Sequence, residues 1–277
     1  MSTPEKYIDI EKVIESKNPK LLKWLPGFIL RYVKRMLHED DINRAMRENG
    51  HLKGVPFVDS AVDHIGAQVE TEGLENIPAS GGVIIVANHP LGGLDGIALM
   101  KAIGKRREDM QVLVNDILMN IENFEPLFIP VNKHGSNPRA AMKVIDEAYA
   151  SDSAVVIFPA GLVSRKIDGV IQDLEWTKSF IAKSIKYGKD VVPVHIGGTN
   201  SKWFYNLSRY RQKLGIKANL EMFILVNEMY KQNGQTIKMT FGEPIPASTF
   251  DKSKSHVEWA NYVRDKVYAL AENGEDK

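Results

Sequence analysis

Residues 81–96 read GGVIIVANHPLGGLDG, and this stretch decides how the chain folds. Residues 83–87 are all apolar, as is typical of a strand buried on both faces of a parallel sheet. Polar residues and glycines follow at once, so we expect the chain to turn sharply where the strand ends. Because ligands bind at the carboxyl ends of such strands, the sequence predicts a site at Asn88, His89 and Asp95.

Similar short apolar runs recur along the chain and alternate with helical patterns. The runs are MQVLVN at 110–115, LFIPVN at 127–132, AVVIFP at 154–159, DVVPVHI at 190–196 and TIKMTFG at 236–242. Helical periodicity covers residues 137–150, 177–187 and, after the last strand, 254–271. Strands that alternate with helices predict an α/β fold, here a single mixed sheet covered by helices on both faces.

The first part of the chain has a different texture. Helical patterns at residues 8–15, 20–37 and 40–48 follow one another without a strand pattern between them. We therefore expect two parts, an N-terminal helical segment at 1–65 and an α/β domain at 66–277.

Residues 17–37, KNPKLLKWLPGFILRYVKRML, carry six basic residues and no acidic ones. Aromatic and aliphatic residues, among them Trp24 and Phe28, lie between the cations. A helical segment of this kind can lie in the interface of an anionic membrane, where each Lys or Arg contributes about 1 kcal/mol. The alternative is that its apolar stripe packs on the α/β domain while the charges face water.

The composition excludes several functional classes. With 36 Lys and Arg against 35 Asp and Glu, the chain lacks the basic excess of a nucleic-acid-binding protein. It has no cysteine, which excludes disulfides, thiolate metal sites and cysteine nucleophiles. Apolar stretches fall far short of the roughly 20 residues that cross a bilayer, and the N-terminus lacks a secretory signal pattern, so we expect a cytoplasmic protein. No motif predicts a bound metal or nucleotide.

His89 and Asp95 are candidates for general base catalysis. A histidine whose ring is held by a carboxylate can remove a proton from a hydroxyl at neutral pH. The carboxylate fixes the tautomer of the ring and stabilises the imidazolium that forms. On these residues alone, a loop histidine with an aspartate nearby is more often structural than catalytic.

A longer pattern includes His89. Its blocks are EGLENIPASGGVIIVANHP at 72–90, PLFIPVNK at 126–133, IFPAGLVSR at 157–165, DVVPVHIGG at 190–198 and FGEPI at 241–245. In this order the blocks resemble the glycerolipid acyltransferase superfamily, whose best-known members are the 1-acylglycerol-3-phosphate acyltransferases. The resemblance covers roughly residues 70–250.

The sequence departs from that family pattern at two points. Five residues separate His89 from Asp95, where the family usually has four. Ala160 stands where most of the family has a glutamate linked to acceptor binding. A branch labelled hemolysin, which includes O-acyltransferases of ornithine and glycine lipids, is similar in the residues that follow. These are Val163, Ser164, Arg165, Asp173, Trp176, Asn200, Ser201, Phe204 and Tyr205.

The resemblance implies an O-acyltransferase that moves a fatty acyl group from acyl-acyl-carrier-protein or acyl-CoA to the hydroxyl of a lysolipid, without a cofactor. His89 is then the general base and Asp95 orients it. The implied substrate-binding residues are Asn88, Gly92, Gly93, Lys133, Phe158, Pro159, Gly161 and Arg165. Lys133 and Arg165 are the candidates for gripping an anionic group, whereas His134 and His195 are interpreted as pocket walls or structural histidines.

The surroundings of the reaction are also expectations. An apolar tunnel should hold the donor chain, and a backbone amide near Gly92 or Gly161 should stabilise the oxyanion. Because a lysolipid resides in a membrane, residues 1–65 are expected to bind the inner face of the cell membrane peripherally.

Alternatives within and outside this chemistry remain open. Lysophosphatidate is the second candidate for the acceptor, after a lyso-aminolipid of the ornithine or glycine type. A hydrolase that uses water as acceptor would need the same base. A noncatalytic lipid-binding protein on the same fold is the alternative from another class, suggested by Ala160 and by the His89 to Asp95 spacing.

Overall fold

The structure is a computed structural model that describes residues 6–115, 119, 121–131, 139–216 and 220–274. The N-terminal helices are α1 (Ile10–Lys17), α2 (Pro19–Trp24), α3 (Gly27–Met36), α4 (Glu39–Asn49) and α5 (Val55–Ile65). The later helices are α6 (Gly93–Gly104), α7 (Arg139–Ala150), α8 (Ser179–Tyr187), α9 (Lys202–Lys213), α10 (Leu225–Tyr230) and α11 (His256–Gly274).

The strands form one large mixed sheet and a small hairpin. The sheet contains β1 (Gln68–Glu72), β2 (Val83–Ala87), β3 (Met110–Asn115), β4 (Phe128–Val131), β5 (Ala154–Ile157), β8 (Val191–Ile196) and β9 (Thr236–Phe241). Their spatial order is β1-β9-β8-β2-β5-β3-β4, and neighbours run parallel except β8 and β9. The hairpin pairs β6 (Arg165–Ile167) with β7 (Val170–Gln172).

Strand register brings the candidate site together. In the parallel pairing of β2 with β5, Val86 lies opposite Ile157. On the other side of β2, Ala87 lies opposite Val194 of β8. The segments that begin at Asn88 and Phe158 therefore leave the same edge of the sheet side by side.

Alternate side chains of β2 enter two different cores, which explains its continuous apolar run. Val83, Ile85 and Ala87 pack on the face covered by α5 and α6. Ile84 and Val86 pack on the opposite face, which α7, α8 and α11 cover. The predicted α/β fold with helices on both faces is confirmed, and the side chains of β2 are buried on both faces of the sheet.

The structure contains most of the predicted helices and strands, and it also contains several elements that the sequence pattern did not predict. Helix α6 lacks a clear amphipathic period because most of its faces are buried. Strand β1, QVETE, lies at the edge of the sheet and carries charged residues that blunt this edge. The hairpin β6–β7 and the helices α9 and α10 also went unpredicted.

The N-terminal helices divide between the core and the surface. Helix α5 contributes Phe57, Val58, Val62 and Ile65 to the core on the α6 face, so it packs within the α/β domain. Helix α3 has no buried residue within its described span. In the segment 17–37, Trp24 is 89% exposed. No helix in the described ranges is long and apolar enough to cross a membrane. The separate domain status and membrane role of 1–65 stay predictions.

Candidate active site

His89 and Asp95 form a hydrogen-bonded pair just beyond β2. The ring Nδ1 of His89 lies 2.9 Å from Oδ2 of Asp95. The His89 side chain is 18% exposed, whereas Asp95 is completely buried. Since Nδ1 is engaged by the carboxylate, the hydrogen bond assigns the proton to Nδ1 and leaves Nε2 as the basic nitrogen. This is the arrangement that a general base requires.

Asp95 is held by the backbone of its own loop. Its Oδ2 accepts hydrogen bonds from the amides of Leu91, at 2.8 Å, and Gly92, at 3.0 Å. Its other oxygen, Oδ1, is buried without a hydrogen-bond partner among the described residues. Burial raises the pKa of Asp95, and the hydrogen bonds from His89 and the two amides oppose that shift without cancelling it.

The chain turns at Gly92 between His89 and Asp95. Gly92 has φ of 84°, a value that favours glycine, and it precedes the first residue of α6. A Cβ at this position would lie 3.2 Å from side-chain carbons of Leu225 and Val163. The tight turn places Asp95 in the first turn of α6, from which its carboxylate reaches back to His89.

Asn88 joins the ends of two strands. Its Nδ2 donates to the carbonyl of Ile196 at 2.8 Å, and its Oδ1 accepts from the Ile196 amide at 2.7 Å. The whole side-chain amide is therefore used to fix the end of β2 against the end of β8. These contacts give Asn88 a positioning function, and the predicted contact with substrate stays a prediction.

Phe158 lies beside the ring of His89. Its ring centroid lies 4.5 Å from that of His89, with the planes tilted by 31°. The next residues shape the turn after β5: Pro159 accepts a backbone hydrogen bond from Thr177, and Gly161 has φ of 61°. The Gly161 amide donates to the Phe158 carbonyl, and that of Gly92 donates to Asp95. The oxyanion donor near these glycines stays a prediction.

Asp173 is a functional candidate that the sequence did not single out for a role. Its Oδ1 accepts from the backbone amide of His89 at 3.1 Å and from Ser164 Oγ at 2.6 Å. Its Oδ2 accepts from Trp176 Nε1 at 2.9 Å. Ser164 also contacts His89 directly, because the Ser164 amide donates to the carbonyl of His89 at 2.8 Å. Asp173, Ser164 and His89 thus form one hydrogen-bond network. The buried carboxylate thus fixes the backbone of His89.

Arg165, the residue after Ser164, lies in a buried ionic network. Its Nη2 donates to Oε1 of Glu221 at 2.9 Å, and Arg211 Nε donates to Oε2 of the same carboxylate at 2.8 Å. Burial opposes ionisation of Glu221, but the hydrogen bond from Arg211 and the two positive charges outweigh it and lower the pKa. The network gives Arg165 a structural function that its sequence context did not indicate, and headgroup binding by Arg165 stays a prediction.

The remaining predicted residues fall into two groups. Lys133 and His134 lie outside the described residues. Gly93 begins α6 with open space around the position of a Cβ. His195 lies in β8 with its ring 6.2 Å from that of Tyr268, and burial lowers its pKa. In the described ranges, no group of three or more His, Cys, Asp or Glu side chains is arranged to hold a metal ion.

Comparison with known proteins places this geometry in a family. A sequence profile described as acyltransferase matches residues 12–276. A lyso-glycine lipid O-acyltransferase from Bacteroides thetaiotaomicron is 46% identical over 264 residues, covering 95% of this chain and 97% of that protein. A protein of the same name from Phocaeicola vulgatus is 45% identical, with 95% of each chain covered.

A solved structure is also similar in overall shape. It is the 1-acyl-sn-glycerophosphate acyltransferase PlsC from Thermotoga maritima, with 18% sequence identity and a TM-score of 0.49. The alignment covers 98% of this chain and 94% of that one. The family profile and the identity to both lyso-glycine lipid O-acyltransferases over nearly the whole chain are decisive: this chain belongs to the acyltransferase family and is an acyltransferase.

Proposed function

We propose that this acyltransferase moves a fatty acyl group from an acyl thioester to the hydroxyl of a lyso-glycine lipid. The observation that carries the proposal is the 2.9 Å hydrogen bond between His89 Nδ1 and Asp95 Oδ2, in a His89 side chain that is 18% exposed. The acceptor class rests on the relatives, which are named for lyso-glycine lipid and are 45% and 46% identical.

The proposed reaction needs one base and no covalent enzyme intermediate. Nε2 of His89 takes the proton of the acceptor hydroxyl as its oxygen attacks the thioester carbonyl carbon. The new C–O bond gives a tetrahedral oxyanion, and its collapse breaks the C–S bond. The imidazolium returns the proton to the departing thiolate, so that an ester and a free thiol are formed. Asp95 stabilises the imidazolium between these two proton transfers.

The oxyanion in this mechanism needs hydrogen-bond donors close to His89. The first-turn amides of an α-helix have no acceptor within their own helix, and α6 begins at Gly93, four residues after His89. We assign the oxyanion to the amides of Gly93 and Leu94 at this helix N-terminus, since the amide of Gly92 donates to Asp95 and the amide of Asp95 donates to the Gly92 carbonyl. Each such donor contributes about 3 kcal/mol in other enzymes.

The preference for an aminolipid over lysophosphatidate is supported by Ala160. This residue packs against the core on the α8 face and supplies no carboxylate beside the turn at Gly161. We propose that acyl-acyl-carrier-protein or acyl-CoA is the donor and that the reaction occurs at the inner face of the cell membrane.

One experiment tests the acceptor and the reaction type together. Purified protein is given a labelled acyl thioester with lyso-glycine lipid, with lysophosphatidate, or with no acceptor. We expect the diacylated glycine lipid to form fastest. Faster acylation of lysophosphatidate would move the proposal to phospholipid synthesis, and rapid release of free fatty acid without an acceptor would indicate a hydrolase.

A further inference from the structure

A second basic and aromatic surface lies on helix α9 and the turn that follows it. Between Asp190 and Glu221 the sequence contains no acidic residue, although acids and bases are balanced over the whole chain. Within this acid-free interval, residues 202–220 contain five basic residues. This local excess resembles the one at residues 17–37, but it belongs to the catalytic part of the chain.

The outer face of α9 carries apolar side chains that the fold leaves uncovered. Trp203, Tyr210 and Leu214 are between 57% and 74% exposed. Trp203 and Tyr210 are seven residues apart, so they share one helix face. Phe223 and Met222, in the turn before α10, are exposed as well.

Exposed cations accompany this apolar face. Lys202, Arg209 and Lys213 are all exposed on α9, and their spacing of seven and four residues places them along a neighbouring stripe. Arg211, by contrast, is buried and paired with Glu221. We call Lys202, Trp203, Arg209, Tyr210, Lys213 and Leu214 the α9 surface.

The inner side of α9 is anchored to the catalytic loop. Asn200 Nδ2 donates to the carbonyl of Pro90 at 3.0 Å, just before the helix begins. Phe204 and Tyr205 pack in a small core with Val163 and Leu225, the residues that crowd Gly92. Met36, the last residue of α3, packs against the same core. The helix that carries the α9 surface is therefore held to the loop that contains Pro90, and its inner side packs in the same small core as Met36 of the basic N-terminal segment.

We infer that the α9 surface is a second membrane-binding element, which seats an anionic bilayer next to the catalytic loop. The cations complement anionic headgroups, and exposed Trp, Tyr and Leu side chains suit the interfacial region of a bilayer. An acidic protein partner would use the cations but would leave the strongly exposed aliphatic and aromatic residues unexplained. The inference rests on the proposed function, because a lysolipid acceptor has to enter the site from a membrane.

Two variants with matched controls test the inference. The charge variant carries Lys202→Gln, Arg209→Gln and Lys213→Gln, and its control carries Lys105→Gln, Lys178→Gln and Lys252→Gln at exposed positions elsewhere. The apolar variant carries Trp203→Ser, Tyr210→Ser and Leu214→Ser. Its control changes Val144, Ile185 and Val257, exposed on α7, α8 and α11, to Ser. Thermal unfolding verifies that each variant is folded.

Sedimentation with vesicles of phosphatidylglycerol and phosphatidylcholine measures binding. The charge variant should bind about tenfold more weakly at low salt and approach wild type at 1 M salt, where screening shortens to about 3 Å. The apolar variant should bind more weakly at both salt concentrations, and both controls should bind like wild type. Vesicle binding of both variants at the level of their controls would overturn the inference.

Acyl transfer separates this inference from the proposed function. On an acceptor embedded in vesicles both variants should be slower than wild type, whereas on a short-chain acceptor dissolved as monomers they should equal it. If wild type acylates neither acceptor while the binding differences persist, the proposed function fails and the surface stands. If the charge variant binds vesicles normally but shows a raised KM for acyl-acyl-carrier-protein, the surface serves the carrier and the inference is wrong.

Discussion

The Oδ1 atom of Asp173 lies 3.1 Å from the backbone nitrogen of His89, so a buried carboxylate far along the chain holds the main chain of the proposed general base. The same oxygen accepts from Ser164, whose amide returns to the His89 carbonyl. One small network therefore fixes both the backbone amide and the backbone carbonyl of His89. Side-chain orientation by Asp95 and backbone orientation by Asp173 are separable, and each can be tested by one substitution.

Asp173→Asn should reduce kcat while leaving KM for both substrates nearly unchanged. An amide at this position replaces one acceptor oxygen by a donor, which then faces the amide of His89 or the indole of Trp176. The ring of His89 would shift without any change to a substrate contact. Steady-state kinetics checks the prediction, with Asp168→Asn in the exposed hairpin as the control. A rise in KM at constant kcat would show that Asp173 acts on substrate binding.

Asp95→Asn should lower turnover by at least about 100-fold, because the imidazolium loses its negative partner. It should not lower stability at neutral pH. Burial raises the pKa of Asp95 in the folded state above its ordinary value of 3.8. Ionisation is therefore harder in the folded than in the unfolded chain, and wild type loses stability as pH rises through the range above 3.8.

The stability comparison for Asp95→Asn can be made by denaturant unfolding across pH. The free energy of unfolding of the variant should rise relative to that of wild type as the pH increases from about 4 towards neutrality, since the variant has no carboxylate to ionise at this position. A variant that becomes less stable relative to wild type over that range would show that the pairing with His89 outweighs burial.

Arg165→Ala distinguishes the structural from the substrate-binding interpretation. Removing one partner of a buried ion pair commonly costs about 3–5 kcal/mol, so the melting temperature should fall markedly, whereas exposed Lys166→Ala should have little effect. If Arg165 also grips the headgroup, the acceptor KM should rise while donor saturation stays unchanged. Wild-type stability with a raised acceptor KM would favour headgroup binding alone.

Gly92→Ala should destabilise the protein and reduce activity. The positive φ of Gly92 and the 3.2 Å approach to Leu225 and Val163 leave no relaxed position for a methyl group. The cost should be about 1 kcal/mol or more. Gly96→Ala is the stability control, because it lies within α6 with open space at the Cβ position, and it should be neutral or stabilising. Equal melting temperatures for both variants would contradict this explanation of the turn.

The sequence could predict what depends on local pattern. The apolar run of β2 and the glycine-rich loop after it are contiguous, so the fold class and the His89 to Asp95 pair could be predicted together. Gly92, which has φ of 84°, lies in the turn that brings Asp95 back to His89. Helix α6 was obscured by its burial on most sides, which erases the amphipathic period.

Contacts between distant residues could not be predicted in this way. Glu221 lies 56 positions from Arg165, and the sequence around neither residue predicts their ion pair. The role of Asp173 depends on contacts with His89 and Ser164 that only the folded chain creates. Asn88 shows the same limit, since its amide serves Ile196, 108 positions away.

The most direct test of the central claim is the turnover of purified His89→Asn with an acyl thioester and lyso-glycine lipid. Asparagine retains a donor close to the position of Nδ1, so the contact with buried Asp95 can persist, but it has no counterpart of Nε2. We predict a melting temperature near that of wild type and a turnover at least about 100-fold lower. A folded variant that keeps more than about a tenth of wild-type turnover would contradict the assignment of His89 as the general base, since such a base commonly contributes 10²–10⁴-fold.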